Sequence, residues 1–358
     1  MTCPDCLEIQ EERMLTEFEP RVDSPTIIST QALPSWQTEL KNAVRSVAQL
    51  LQLLDLKATD LDQPALADAD FPLRVPLSYV NRMQRANPHD PLLRQVLPSG
   101  AELDPQPGYL DDPLAEREHA PAPGIVHKYQ GRALVITTQA CAVHCRYCFR
   151  QHFPYADNRL SPTQWQGALN YLASQDDLHE VIFSGGDPLS LPNERLAELM
   201  ADLEQLPNLT TLRIHSRTPI VMPSRIDAGL VRLLEQTRLK TVLVVHANHA
   251  NEINAEVQQA LAPLRQNGTL LLNQAVLLAG VNDSIEALTD LSQALFSADV
   301  LPYYLHQLDA VRGAAHFDVP DERAQQLWRE LQASLPGYLV PRLVREVPGD
   351  AGKRWLNQ

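Results

Sequence analysis

The chain has 358 residues, 44% of them hydrophobic, and a net charge of −14. It holds enough apolar material for one large core and too few clustered Lys and Arg for a broad nucleic-acid surface. No run reaches the length of a membrane span, and the start "MTCPDCLEIQEER" lacks the basic and apolar regions of a secretion signal, so a cytoplasmic protein is expected.

In chain order, residues 1–119 form a predicted extension of helical and irregular texture. Within it, "QTELKNAVRSVAQLLQLLDL" (37–56) has apolar residues at helical spacing, which predicts one amphipathic helix. The Pro-rich, acidic stretches around it, such as "TDLDQPALADADFPLRVP", read as loops that wrap a neighbour and not as a second core. Residues 120–335 form the predicted main domain. There short β-branched runs ("ALVITT", "EVIFSGG", "TTLRIHS", "KTVLVVH", "TLLLNQAVLL", "VLPYYLHQLD") alternate with amphipathic segments roughly every thirty residues. That period is a strand–helix crossover unit, so an α/β fold with a parallel sheet is predicted: a barrel, a partial barrel or a doubly wound sheet. In each of these, ligands collect at the carboxyl ends of the strands. Residues 336–358 add a strand-like run, "GYLVPRLVREV", and a polar tail.

Three of the five cysteines, Cys141, Cys145 and Cys148, fall in "CAVHCRYCFR", just after the strand "ALVITT". Thiolates select zinc, copper(I) or iron–sulfur clusters. Structural zinc wants four ligands, and the remaining local donors are His144 and His152. Three thiolates on a cluster leave one iron open, which suits the binding of a substrate better than electron relay. The other pair, Cys3 and Cys6, is a lone C-x-x-C with no function assigned.

The C-x-x-x-C-x-aromatic-C spacing resembles that of radical S-adenosylmethionine (SAM) enzymes. The resemblance implies a partial (β/α)6 barrel and a [4Fe–4S] cluster on Cys141, Cys145 and Cys148. The open iron of that cluster binds SAM and yields a 5′-deoxyadenosyl radical. Tyr147 would be the aromatic beside the adenine. "FSGGDP" looks like the family's Gly-Gly-acid segment, so Gly185, Gly186 and Asp187 would hold the SAM amino group.

Over residues 120–353 the similarity narrows to lysine 2,3-aminomutases, carried by "HKYQGRALVITTQACAVHCRYCFR", "LRIHSRTPIVMPSRI", "NQAVLLAGVND", "LPYYLHQLDAVRGAAHF" and "EVPGDAGK". This adds pyridoxal phosphate (PLP), which needs a lysine for its resting Schiff base. Lys353, by itself a solvated charge near the chain end, matches that lysine. Lys128 and Arg132 match a basic pair around the PLP phosphate. Arg150 matches the partner of the substrate carboxylate, and His246 and Gln274 match polar residues of the SAM pocket. Asp309 and Glu346 match the acids that receive the distal ammonium of lysine. Position 346 is Asp in the enzymes of free lysine, and Asp350 and Ala351 replace part of a glycine run.

The chain stops five residues after Lys353 and has no cysteine beyond 148. That short form looks like the bacterial enzyme of elongation factor P (EF-P) β-lysylation. The implied activity is conversion of L-lysine to (R)-β-lysine, which a synthetase-like partner attaches to EF-P, with a reductant such as flavodoxin. Assembly of the chain with itself stays open. The alternatives are the same chemistry on glutamate or arginine, or a cluster protein that only transfers electrons.

Overall fold

A computed structural model describes residues 35–66, 71–152 and 160–356, so Cys3 and Cys6 lie outside the described residues. Everything described falls in one compact unit, Pro34–Gln358. Its frame is a nine-stranded sheet in simple sequence order: β1 Ile125–Tyr129, β2 Arg132–Thr138, β3 Glu180–Gly185, β4 Thr211–Ser216, β5 Lys240–Val245, β6 Leu270–Val276, β7 Leu301–His306, β8 Arg342–Arg345 and β9 Arg354–Trp355. Strands β2 to β8 pair in parallel, while β1 and β9 join the two edges antiparallel. The six expected strands are β2 to β7. The run "GYLVPRLVREV" continues the sheet as β8.

The crossovers carry helices Pro162–Ala173, Asn193–Glu204, Ala228–Gln236, Ala255–Gln266, Ile285–Ser297 and Asp321–Ser334. Several of their starts are written in the sequence. Ser161 and Gln164 form a capping box with Pro162 in the first turn, and Asp227, Asn254 and Ser284 each accept from a backbone N–H three residues on.

Alternation along the strands sorts the side chains into two populations. Val135, Phe183, Ile214, Leu243, Leu271 and Leu305 are buried in the core with the helices. Leu134, Ile182, Arg213, Val242, Leu272 and Tyr304 instead line one cavity of about 590 Å³. One cavity walled by the six parallel strands β2 to β7 means that the sheet curls around it, so the partial barrel is the observed fold. Across the open seam, Lys128 of β1 reaches Glu346, just beyond β8, at 3.1 Å.

Two expectations for the extension fail. The predicted single helix over 37–56 is two, Trp36–Lys41 and Val47–Leu53. Between them Val44 is pulled into a β-bridge with Val75, and Ser46 caps a fresh helix by accepting from Gln49 N. The extension also builds a second core after all. Trp36, Leu50, Val75, Tyr79, Leu92 and Val96 pack together, and Ala142, Val143 and Met222 from the barrel rim complete the cluster. The stretch 37–56 supplies Val44, Leu50, Leu51, Leu54 and Leu56, but the remaining members come in ones to threes from scattered turns, so the cluster did not show as a unit.

No helix among the described residues is long and apolar enough to cross a membrane.

Candidate active site

Strand β2 ends at the cavity rim, and Cys141, Cys145 and Cys148 all line that cavity with no disulfide between them. Burial, reinforced by the neighbouring Cys145, pushes the Cys148 thiol up to about 12. Burial, then Asp187 and the other two sulfurs, raises Cys141 well above its ordinary value. Thiols held protonated by burial and by a neighbouring sulfur, as Cys141 and Cys148 are, give up their protons to a cation that binds them. Among the described residues no three His, Cys, Asp or Glu are placed to hold a single metal ion. A cluster, with each thiolate on its own iron, is what this donor set fits.

The extension grips the cysteine loop from outside. His144 N donates to Arg74 O at 3.0 Å, its Nδ1 bonds Pro72 O at 2.7 Å, and its ring stacks on Phe71 at 4.5 Å. Arg146 donates to both Glu102 carboxylate oxygens and to Phe71 O. His152 bonds Arg312 O at 3.1 Å. Each of these two histidines spends one ring nitrogen on a backbone carbonyl.

At the end of β3 Gly185 and Gly186 line the cavity and also serve the cysteine loop. Gly185 has φ +117°, and a Cβ there would lie 2.7 Å from Thr138 O. A Cβ on Gly186 would lie 2.5 Å from Ala140 O. The missing side chains admit the cysteine loop itself, which is stitched on by Gly186 N to Thr138 O (2.7 Å) and Asp187 N to Ala140 O (2.8 Å). Asp187 lines the cavity as well, and its carboxylate is hydrogen-bonded within the protein. It already accepts from Leu189 N, Ser216 Oγ, Arg217 N and Thr218 N, between 2.6 and 3.0 Å, which uses its roughly four lone-pair sites. We expect Gly186→Ala to destabilise the protein by about 1–3 kcal/mol and to lower iron uptake, read by denaturant melt and iron assay. A wild-type midpoint with full iron would contradict the close approach.

Tyr147 lines the cavity with its ring while its hydroxyl is anchored: it accepts from Asn248 Nδ2 at 2.7 Å and from Arg217, and donates to Gln95 at 3.4 Å. Gln274 Nε2 lies 2.7 Å from His246 Nε2. Burial, then Arg217 and Arg150, lowers His246 to about 3, so its imidazole is neutral and accepts from that amide.

Arg150 is buried, and its guanidinium is spoken for. It forks onto Glu116 (2.7 and 2.6 Å) and donates to Ser184 Oγ at 2.9 Å. In this state Glu116 sits where a substrate carboxylate was expected. Lys128, expected at a phosphate, instead donates to Leu114 O at 2.9 Å and to Glu346. Arg132 stacks over the Tyr129 ring at 4.7 Å and remains suited to a phosphate.

Glu346 is the hub of the far wall. It accepts from Lys128 at 3.1 Å and from Lys353 at 2.8 Å, so two cations share one carboxylate. Burial alone would raise it, but Lys353 and Lys128 outweigh burial and hold it at about 2. Asp309 lines the same cavity; burial and Glu346 lift it to about 7 against the pull of Lys353.

The cavity also holds polar atoms that no protein group satisfies: Arg213 Nε, His215 Nε2 and His306 Nε2. Buried polar atoms of this kind mark a space meant for a polar ligand, and the volume lies in the usual range of cofactor pockets. The residues present thus fit PLP with Lys353 as its anchor. Glu116, Arg213, His215 and His306 were not singled out in the sequence. Three of them lie in segments quoted above for their resemblance, and strand alternation from Ser184 or Gln274 would have pointed them inward.

A family model described as the radical SAM superfamily matches residues 135–291. The L-lysine 2,3-aminomutase of Escherichia coli K12 is 48% identical over 334 residues, 92% of this chain and 96% of that protein. The L-lysine 2,3-aminomutase of Haemophilus influenzae is 46% identical, over 89% of this chain and 94% of that protein. That of Clostridium subterminale is 33% identical, over 89% and 76%.

Proposed function

Since the chain belongs to the lysine 2,3-aminomutase family of radical SAM enzymes, we propose that it converts L-lysine to (R)-β-lysine with the help of PLP on Lys353. It is a radical SAM isomerase built around a [4Fe–4S] cluster and SAM. The observation that carries the finer reading is convergence: the three-cysteine loop, Lys353 and the acids Glu346 and Asp309 all face one cavity.

When bound, the cluster and SAM supply a one-electron route to hydrogen-atom abstraction, and PLP supplies an electrophilic carbon for the migrating nitrogen. The chain's own residues do the rest. Arg132 is assigned to the phosphate. Lys353 pairs with Glu346 at 2.8 Å and would be the residue that holds PLP. Glu346 and Asp309 would together receive the distal ammonium of lysine. Arg150 grips the substrate carboxylate, and Glu116 must yield for it to do so. A planar fork that now matches one carboxylate is shaped to match another.

Product analysis after anaerobic incubation with isotopically labelled lysine, SAM, PLP and reductant tests this reading. β-Lysine is the expected product; lysine recovered unchanged while glutamate or arginine is rearranged would overturn it. A second expectation concerns Asp309. Its carboxyl is neutral below about pH 7 and anionic above, so affinity for lysine should strengthen as pH rises through that value. Asp309→Asn should flatten that rise and raise the KM for lysine about tenfold to a hundredfold above it, with SAM binding unchanged. A wild-type profile in the variant would remove Asp309 from the pocket.

The fate assigned to the product is β-lysylation of EF-P in the cytoplasm by a synthetase-like partner. Support comes from the likeness of "CRYCFR", "PYYLHQLD" and "GAAHF" to the enzyme of that pathway. EF-P that keeps its full mass in cells lacking this protein would exclude it.

A further inference from the structure

Arg217 follows the last residue of β4 and lies directly behind the cysteine loop, 6% exposed. Its Nη1 donates to Cys145 Sγ at 3.0 Å and to the Tyr147 hydroxyl. Its Nη2 donates to Gln95 Oε1 at 2.8 Å, Tyr79 Oη at 3.0 Å and Glu252 Oε2 at 3.0 Å. Glu252, with no exposed surface, is pinned in turn by Asn248 N (2.8 Å), His249 N (3.1 Å) and Gln95 Nε2 (3.2 Å) on its other oxygen. The guanidinium therefore cannot swing away from the sulfur.

Burying a charged pair costs free energy unless geometry and hydrogen bonds compensate, and this pair is placed against one sulfur of the three. Potentials of iron–sulfur clusters respond to hydrogen bonds to their sulfurs and to nearby charge. One-electron reduction adds a negative charge to the cluster, and a fixed cation 3.0 Å from a ligating sulfur favours that charge. Glu252 works the other way.

We propose that Arg217 is a positioning residue that raises the reduction potential of the cluster through its hydrogen bond to Cys145 Sγ, while Glu252 fixes the guanidinium and tempers the effect. The proposal rests on the reading of the three cysteines as cluster ligands. It adds a residue to that reading that touches the cluster only through a ligand.

The test is an EPR-monitored redox titration of anaerobically reconstituted holoprotein, with iron and sulfide assayed on every sample. At the potential that half-reduces wild type, Arg217→Gln should show a reduced-to-oxidised ratio about tenfold lower, equal to about 59 mV for a one-electron couple. Glu252→Gln should move the ratio upward. A merely structural role would lower thermal stability without opposite shifts. Fully loaded variants that reduce like wild type, or that both shift the same way, overturn the proposal. Should Arg217→Gln take up no cluster, Arg217→Lys and Glu252→Gln decide: a Glu252→Gln ratio equal to wild type, or an Arg217→Lys ratio above it, overturns it too. Wild type that holds no four-iron cluster would instead refute the underlying reading.

Discussion

Lys353→Ala should lose the visible absorbance of protein-bound PLP and at least about 10⁴-fold in turnover, while iron content and reductive cleavage of SAM persist. The reason is local. Lys353 sits on the turn-rich approach "PGDAG", with Nζ 2.8 Å from Glu346 and 5.7 Å from the centre of the Tyr304 ring. An aromatic face and a carboxylate hold the amine inside the cavity without locking it there, since its side chain keeps 22% exposure. Removing it leaves Glu346 paired with Lys128 at 3.1 Å, so no buried charge is orphaned and the fold should survive. Loss of activity would then report chemistry and not collapse. Isomerase activity retained in the variant would dismiss Lys353 as the anchor.

The residues differ in how openly they declare themselves. The barrel was legible because β-branched runs and capped amphipathic helices repeat at one period, and local rules agree with the global fold. The cysteine loop was legible because its chemistry is concentrated in eight residues. Lys353 could be placed only through resemblance, as nothing near it in the chain looks like a site. What stayed hidden has a shared physical cause. Asp187 and the two glycines line the cavity, and they also hold the cysteine loop against β3 and cap the turn after β4, a second task the sequence did not show. A turn motif looks the same in sequence whether a ligand or another loop fills the space above it. Arg150 and Lys128 were placed by resemblance, which does not reveal resting partners more than thirty residues away such as Glu116, or at 346. The second core failed to show for a similar reason: its residues converge from scattered turns.

Cys148→Ala should have the converse effect to Lys353→Ala. With two thiolates left, the cluster loses one of its three protein anchors, so iron content, SAM cleavage and turnover should all fall below detection. The PLP absorbance should remain, because Lys353 and Lys128 are held by Glu346 and by none of the cysteines. The substitution itself is small. The loop would keep the bonds that fasten it from outside, His144 to Arg74 and Pro72 and Arg146 to Glu102, so loss of iron cannot be put down to a collapsed loop. The pair of variants thus separates two halves of one cavity, each losing its own cofactor and keeping the other's. Four irons and SAM cleavage retained in Cys148→Ala, or zinc in place of iron in the wild-type protein, would mean that the three sulfurs serve some other centre. The roles given to Lys353, Glu346 and Asp309 would then have no radical to control.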